Sequence, residues 1–179
     1  MSLSHALLAA LSQQSATGYE LAQHFDGSLG HFWKASHQQI YRDLAKLEAQ
    51  GLVQHEVMPQ LGKPERKLYQ ITPLGLGELQ GWIASPSDPP PIRDGLLVKL
   101  YAGNCVEPAV LLAELAQQRA QHAARLAVYL AIEGQYFADP ASLAYAQRLI
   151  WLTLQSGLMY EQQWLAWCDL AMREIGSGS

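Results

Sequence analysis

The sequence predicts a mainly α protein with a small β-hairpin, divided into two domains. Three observations predict it. Apolar residues recur at helical spacing over most of the 179 residues. Across 52–71 the period falls to two, as in a half-buried strand. The stretch Ser85-Pro86-Ser87-Asp88-Pro89-Pro90-Pro91 interrupts both patterns, because its prolines cannot continue a helix and favour a stiff spacer. The expected boundaries are a first domain over 1–85, a linker over 86–91 and an all-helical domain over 92–175.

Leu3, Leu7, Ala10 and Leu11 define a first amphipathic helix over 3–13. Thr17-Gly18-Tyr19-Glu20 is a capping box that opens a second helix to about Phe25. Asp26 to Ala35 is expected to be a loop anchored by Phe32 and Trp33. The helix from Ser36 to Gly51 has both ends marked: Ser36 and Gln39 make a capping box, and Gly51 suits the position just past a helix end. Ile40, Leu44 and Leu47 form one apolar stripe on it. Val53, His55 and Val57 then alternate with Gln54, Glu56 and Met58 as a strand, Pro59 to Pro64 turns, and Leu68 to Ile71 returns. Thr72 caps a further helix with Pro73 in its first position and Leu76, Leu79, Trp82 and Ile83 facing inward.

Beyond the linker everything is expected to be helical. Asp94 to Ala102 holds Leu96, Leu97, Leu100 and Tyr101. Pro108 to about Phe137 carries Leu111, Leu112, Leu115, Leu126 and Leu130. Asp139-Pro140 begins a last helix to about Glu174, with Leu143, Ile150, Leu154, Leu158, Trp164, Leu165 and Cys168 on its stripe. Two such helices cannot bury their apolar faces on one another alone. They need the first helix, a partner chain or both, and a homodimer through this domain is expected.

Three helices and a two-stranded wing make the winged helix-turn-helix plan. On the helix over 36–51, Gln38, Arg42, Ala45 and Ala49 point away from the apolar stripe, flanked by Gln39 and Lys46. That face has two readings. It is the surface of an ordinary all-α domain, or it enters a DNA major groove, where Arg and Gln make bidentate contacts to base edges and small alanines permit close approach. The wing favours the second, since Lys63, Arg66 and Lys67 can neutralise phosphates. Net charge is −4, yet five of the six Lys and Arg residues up to Ser85 lie in this helix or in 63–67. The expected DNA-binding set is Ser36, Gln38, Gln39, Tyr41, Arg42, Lys46, Lys63, Arg66 and Lys67. A two-fold dimer would present two such helices about one DNA turn apart, so the double-stranded operator should be an imperfect inverted repeat.

Other chemistry finds little support. Gly75-Leu76-Gly77-Glu78-Leu79-Gln80-Gly81 mimics a dinucleotide-binding fingerprint but is one residue too long, with no parallel βαβ unit after it. The six histidines lack HxH or HExxH spacing, and there is no GxSxG elbow or carboxylate pair for acid–base work. No metal, no cofactor and no enzyme activity is expected. Cys105 and Cys168 stand far apart, as buried thiols would in a reducing compartment. No apolar run reaches membrane-span length and no signal peptide precedes Leu3, so a cytoplasmic location is expected.

The sequence resembles the PadR family of bacterial transcriptional regulators. The matching residues are Gly18-Tyr19-Glu20-Leu21, Phe32-Trp33, Gln39-Ile40-Tyr41, Leu44, Leu47-Glu48, Gly51-Leu52-Val53, Tyr69-Gln70-Ile71-Thr72, Gly75 and Leu79, with Trp82 and Arg93-Asp94 beyond them. The long second domain is similar to that of the larger subgroup with phenolic-acid-responsive repressors. Arg42 departs from the pattern, since many members carry Pro there. The resemblance implies a repressor released from DNA by a small aromatic effector. Candidate effector residues are Tyr19, Trp33 and His37, with Trp151, Tyr160 and Trp164 from the last helix; Phe32-Trp33 and His37 match residues that phenolic-acid-responsive members share. The competing reading is that these rings are core and dimer packing. The competing function is a protein-interaction module on the same scaffold, because fold alone does not settle function.

Overall fold

A computed structural model describes residues 3–26, 35–59, 65–89, 91 and 93–177. They fall into two compact units, Met1–Pro89 and Pro90–Ser179. Trp33 and Lys63, both expected at functional sites, lie outside the described residues.

The first unit runs α1 (Leu3–Gln13), β1 (Ala16–Thr17), α2 (Gly18–Asp26), α3 (His37–Ala49), β2 (Val53–Met58), β3 (Arg66–Ile71) and α4 (Pro73–Ala84). Its core is Leu7, Leu8 and Leu11 of α1, Leu21, Ala22 and Phe25 of α2, and Ile40, Leu44 and Leu47 of α3, closed by Val53, Tyr69 and Leu79. The expected hairpin is the edge of a three-stranded antiparallel sheet in the order β1-β3-β2. Tyr69 is central to it, opposite Ala16 on one side and His55 on the other. The extra strand is two residues long, too short to leave a period in the sequence. Thr17 ends it and also caps α2: its Oγ1 accepts the Glu20 N–H at 3.2 Å, and Glu20 Oε2 accepts the Thr17 N–H at 2.7 Å.

The end of α3 is closed by a Schellman arrangement. Leu52 N–H donates to the Leu47 carbonyl and Gly51 N–H to that of Glu48, both at 2.9 Å, with Gly51 at φ +70°. Thr72 continues the anchor, its hydroxyl donating to the Gly51 carbonyl at 2.7 Å while accepting the Gly75 N–H at 3.1 Å. A Cβ on Gly75 would lie 2.0 Å from the Leu52 carbonyl oxygen, so only glycine permits this approach of α4 to the chain leaving α3.

On α4 the expected inward face is corrected. Leu79 is buried and Trp82 packs beside it, stacked on His5 of α1 at 4.7 Å. Leu76 and Ile83 are 41% and 67% exposed. At a hundred degrees per residue they fall on one side of Leu79, while Gly75 and Trp82 fall on the side that meets α1.

The second unit contains α5 (Gly95–Tyr101), a 3₁₀ turn (Gly103–Cys105), α6 (Pro108–Tyr136), a second 3₁₀ turn (Pro140–Ser142) and α7 (Tyr145–Ser177). The last helix therefore starts at Tyr145, not at Asp139. The Asp139 side chain accepts the Ala141 N–H and closes a tight turn, and Gln147 reaches back to accept the Ala144 N–H. Leu143 thus precedes the helix, and Ile150 is exposed. On α6 the buried positions are Leu115, His122 and Tyr129, a seven-residue repeat, and Leu130 is exposed. Helices α6 and α7 are antiparallel. Arg119 makes a two-pronged contact with Asp169 at 2.6 and 3.2 Å, and the Glu133 carboxylate accepts from Trp151 at 3.2 Å and Gln155 at 2.5 Å. Between them His122 Nδ1 meets Glu161 Oε2 at 2.5 Å. Among the described residues no helix is long and apolar enough to cross a membrane.

Candidate nucleic-acid interface

The outer face of α3 follows from its caps and its stripe. Ser36 Oγ accepts the Gln39 N–H at 3.3 Å, and Gln39 Oε1 accepts the Ser36 N–H at 2.9 Å. Ile40, Leu44 and Leu47 are buried, so helical geometry turns Gln38, Arg42, Ala45 and Lys46 to solvent. The Arg42 side chain is 75% exposed, and its nearest acid, Asp43, stands off at 4.0 Å. Asp43 is held instead by the Ser4 hydroxyl at 3.2 Å, which ties α3 to α1. Arg42 is thus an exposed cation on the outward face of α3. Gln39 differs from Gln38, because its carbonyl oxygen is already used at the cap. Tyr41 lies against Gly18, where an added Cβ would come within 2.4 Å of its ring.

The wing cations do not act as one group. Residues opposite one another in a ladder share a face, and successive residues alternate. Lys67 pairs with Val57 and shares the face of His55 and Tyr69. Arg66 pairs with Met58 and points to the other face. There its charge helps hold the Glu20 carboxyl below the usual range, behind the larger effect of the Thr17 hydrogen bonds. On the inner face, burial and the nearby Glu48 and Tyr41 push the Tyr69 phenol up.

The sequence reading missed two ionisable pairs. Glu48, near the end of α3, hydrogen-bonds His55 Nδ1 on β2. Glu161, on α7, is buried against His122 and lies 3.5 Å from Arg125. The signal for the second was a histidine and a glutamate at stripe positions, which a search for leucines passes over.

The proposed effector residues do not form one group within the described units. Tyr19 is exposed on α2, with its hydroxyl accepting from Gln23 at 3.1 Å, and His37 opens α3. On α7, Tyr160 and Trp164 cluster on His122, with Trp164 stacked flat on the imidazole at 4.8 Å. Trp151 is thirteen residues before Trp164, about 20 Å along the helix axis, and bonds Glu133. No group of three His, Cys, Asp or Glu that could hold a metal occurs among the described residues.

Comparison with known proteins gives two family matches: the transcriptional regulator PadR-like family over residues 7–81, and virulence activator alpha C-term over residues 92–175. The chain is 38% identical to the probable transcriptional regulator Rv1176c of Mycobacterium tuberculosis, over 94% of this chain and 95% of that protein. It is 37% identical to the Vibrio cholerae virulence activator AphA, whose structure superposes with a TM-score of 0.81 over 99% of this chain and 100% of that one. The negative transcriptional regulator PadR of Bacillus subtilis is 28% identical over 97% of both chains. Its structure in complex with operator DNA gives a TM-score of 0.84, covering 97% of this chain and 98% of that one. Its structure in complex with p-coumaric acid, at 24% identity and a TM-score of 0.80 with the same coverage, shares the fold.

Proposed function

The chain belongs to the PadR-like family of transcriptional regulators, and from that premise we propose that it binds an operator as a homodimer and is released by a small aromatic effector. The observation that carries the DNA reading is α3: a helix capped at both ends, anchored in the core, that presents Gln38, Arg42 and Lys46 outward. Arg42 and Gln38 read base edges in the major groove. Ser36, Gln39 and Tyr41 stand near the groove wall, where hydroxyls and amides meet phosphates. Lys46, Lys63, Arg66 and Lys67 neutralise phosphates, and Lys67 shares the wing face nearest α3. Support comes from the related Bacillus subtilis PadR, solved on operator DNA.

The dimer rests on the second unit, where Val98, Tyr101, Tyr145 and Met159 are among many exposed apolar side chains on α5 and α7. The effector reading takes a phenolic or flat aromatic acid as ligand, with Tyr160 and Trp164 around His122 as its candidate contacts in the second unit and Tyr19, Trp33 and His37 as separate candidates in the first, and draws on the p-coumaric acid complex of the same relative. The effector must bind the off-DNA state more tightly, since equal affinity would shift nothing. Repression follows if the operator overlaps a promoter. The relationship to a virulence activator supports activation as a second reading, and a promoter fusion in cells with and without the gene separates the two.

Sequencing of genomic fragments retained at moderate salt tests the DNA reading; enrichment of one imperfect inverted repeat supports it, and uniform recovery of fragments rejects it. Sedimentation of the full chain tests the dimer, and a monomer at micromolar concentration rejects it. Titration with phenolic acids, followed by tryptophan fluorescence and operator release, tests the effector. Equal release from wild type, His37→Ala and Trp33→Ala would put the pocket elsewhere.

A further inference from the structure

Glu48 and His55 lie outside the base-reading face, yet they join the two parts of the proposed interface. Glu48 stands in the last turn of α3 and His55 in the middle of β2, and their side chains are 31% and 21% exposed. Backbone bonds and Thr72 anchor the chain only as far as Leu52. The sheet is three-stranded as far as Glu56 and Leu68, where β1 lies along β3, and beyond them the ladder continues through Val57–Lys67 to Met58–Arg66 as a two-stranded ribbon. Such ribbons twist and bend easily when no third element supports them. Among the described residues the Glu48–His55 pair is a side-chain hydrogen bond from the recognition helix to the base of that ribbon, two residues before it becomes two-stranded. His55 is directly opposite Tyr69, their ring centroids 5.7 Å apart and tilted by 50°. The titratable groups around it are Glu48 and Tyr41 from α3, and Tyr69 and Lys67 from β3.

We propose that Glu48 and His55 form a proton-sensitive strut that sets the wing against the recognition helix, so that protonation of His55 tightens operator binding. This rests on the DNA-binding reading above. Protonating the imidazole adds a positive donor to a bond whose acceptor is a carboxylate, and such pairs are shorter and stronger than bonds with one charge or none. Histidine is the side chain whose charge changes nearest neutral pH. With the strut closed, the wing holds Lys67 on the side of α3; with it loosened, part of the population presents the wing wrongly, and apparent affinity falls by that fraction. The sign follows from linkage. If the DNA-bound form holds the proton more firmly than the free form, affinity is fully developed below the histidine titration and declines as pH rises through it.

The test uses the full-length chain and an operator fragment in fluorescence anisotropy at constant ionic strength, from pH 6 to pH 8. Wild type, His55→Gln, Glu48→Gln and the double variant are compared, which cancels the other histidines. Wild type should lose about three- to fivefold more affinity across the range than either single variant. The double variant should behave as the single ones do. Coincident pH profiles for wild type and His55→Gln would overturn the proposal. Proton NMR of His55 in the free protein gives an independent readout: its ring signals at fixed pH should move in Glu48→Gln, and unmoved signals would also overturn the proposal. No specific binding by wild type at any pH would instead reject the DNA-binding reading.

Discussion

Replacing Glu161 with Ala should loosen the second unit at the contact between α6 and α7. Glu161 is 2% exposed and its partner His122 is 8% exposed, so both side chains are almost fully removed from water. The carboxylate also faces Arg125, and Trp164 covers the imidazole. Removing the carboxylate leaves the buried His122 N–H and the facing Arg125 without their acceptor, a loss of about 3 kcal/mol. Cys168 reports on the same region: it is fully buried with Leu96 and Leu115, packed against Trp164, and burial pushes its thiol up. Under native conditions its reaction with a disulfide reagent requires local opening. A loss of about 3 kcal/mol speeds that reaction by roughly a hundredfold or more, at about 1.4 kcal/mol per factor of ten. Cys105, expected from the sequence to be buried like Cys168, is instead exposed at the end of the first 3₁₀ turn and should react at once in every variant. Glu161→Gln, which keeps an acceptor for His122, should react at an intermediate rate. Replacing both partners, as His122→Phe with Glu161→Leu, should restore slow reaction, since well-packed apolar residues of similar volume replace such pairs at little cost. Equal Cys168 rates in wild type and Glu161→Ala would show that the pair does not hold the helices.

Three further outcomes are expected. Gly75→Ala should lower stability by about 1–3 kcal/mol, read as a shift of the urea midpoint of the first unit, because its Cβ would meet the Leu52 carbonyl at 2.0 Å. Thr17→Val should raise the Glu20 pKa toward its ordinary value, read by carboxyl NMR; since the folded pKa is lowered, the stability it contributes is present above the unfolded value and lost as pH falls through the folded one, and that acid-side loss should shrink in the variant. Cys105→Ser and Cys168→Ser should leave operator binding insensitive to mild oxidant, and a change in oxidant response in either would make that thiol a redox switch.

The first unit was legible where local chemistry and period agree. Ser36 with Gln39, Gly51, and the stripe of Ile40, Leu44 and Leu47 each point to the same helix, and the structure has them as read. β1 escaped because two residues carry no period, and Leu76 with Ile83 misled because an apolar residue can sit on the side of a helix that nothing covers within its unit. In the second unit the apolar pattern found α6 and α7 but misplaced the start of α7, where a backward-reaching Gln147 replaces the usual cap residue. It placed Leu115, Leu158 and Cys168 on the stripe, where they are buried, but left out His122, Tyr129 and Glu161, since a buried polar pair becomes visible only when its partner on the other helix is known. The side chains proposed to read bases were legible as types on a face. The division of labour between Gln38 and Gln39, or between Arg66 and Lys67, needed the cap and the strand register.

The central claim is that the outward face of α3 reads DNA sequence, and Arg42→Ala tests it most directly. Its side chain is three-quarters exposed and supports no core contact, so the variant should fold as wild type does. Affinity is measured for the recovered operator and for unrelated DNA at the same salt. Operator affinity should fall by about 1–3 kcal/mol, roughly 5- to 150-fold, with a much smaller loss on unrelated DNA. Operator binding equal to wild type would contradict the claim.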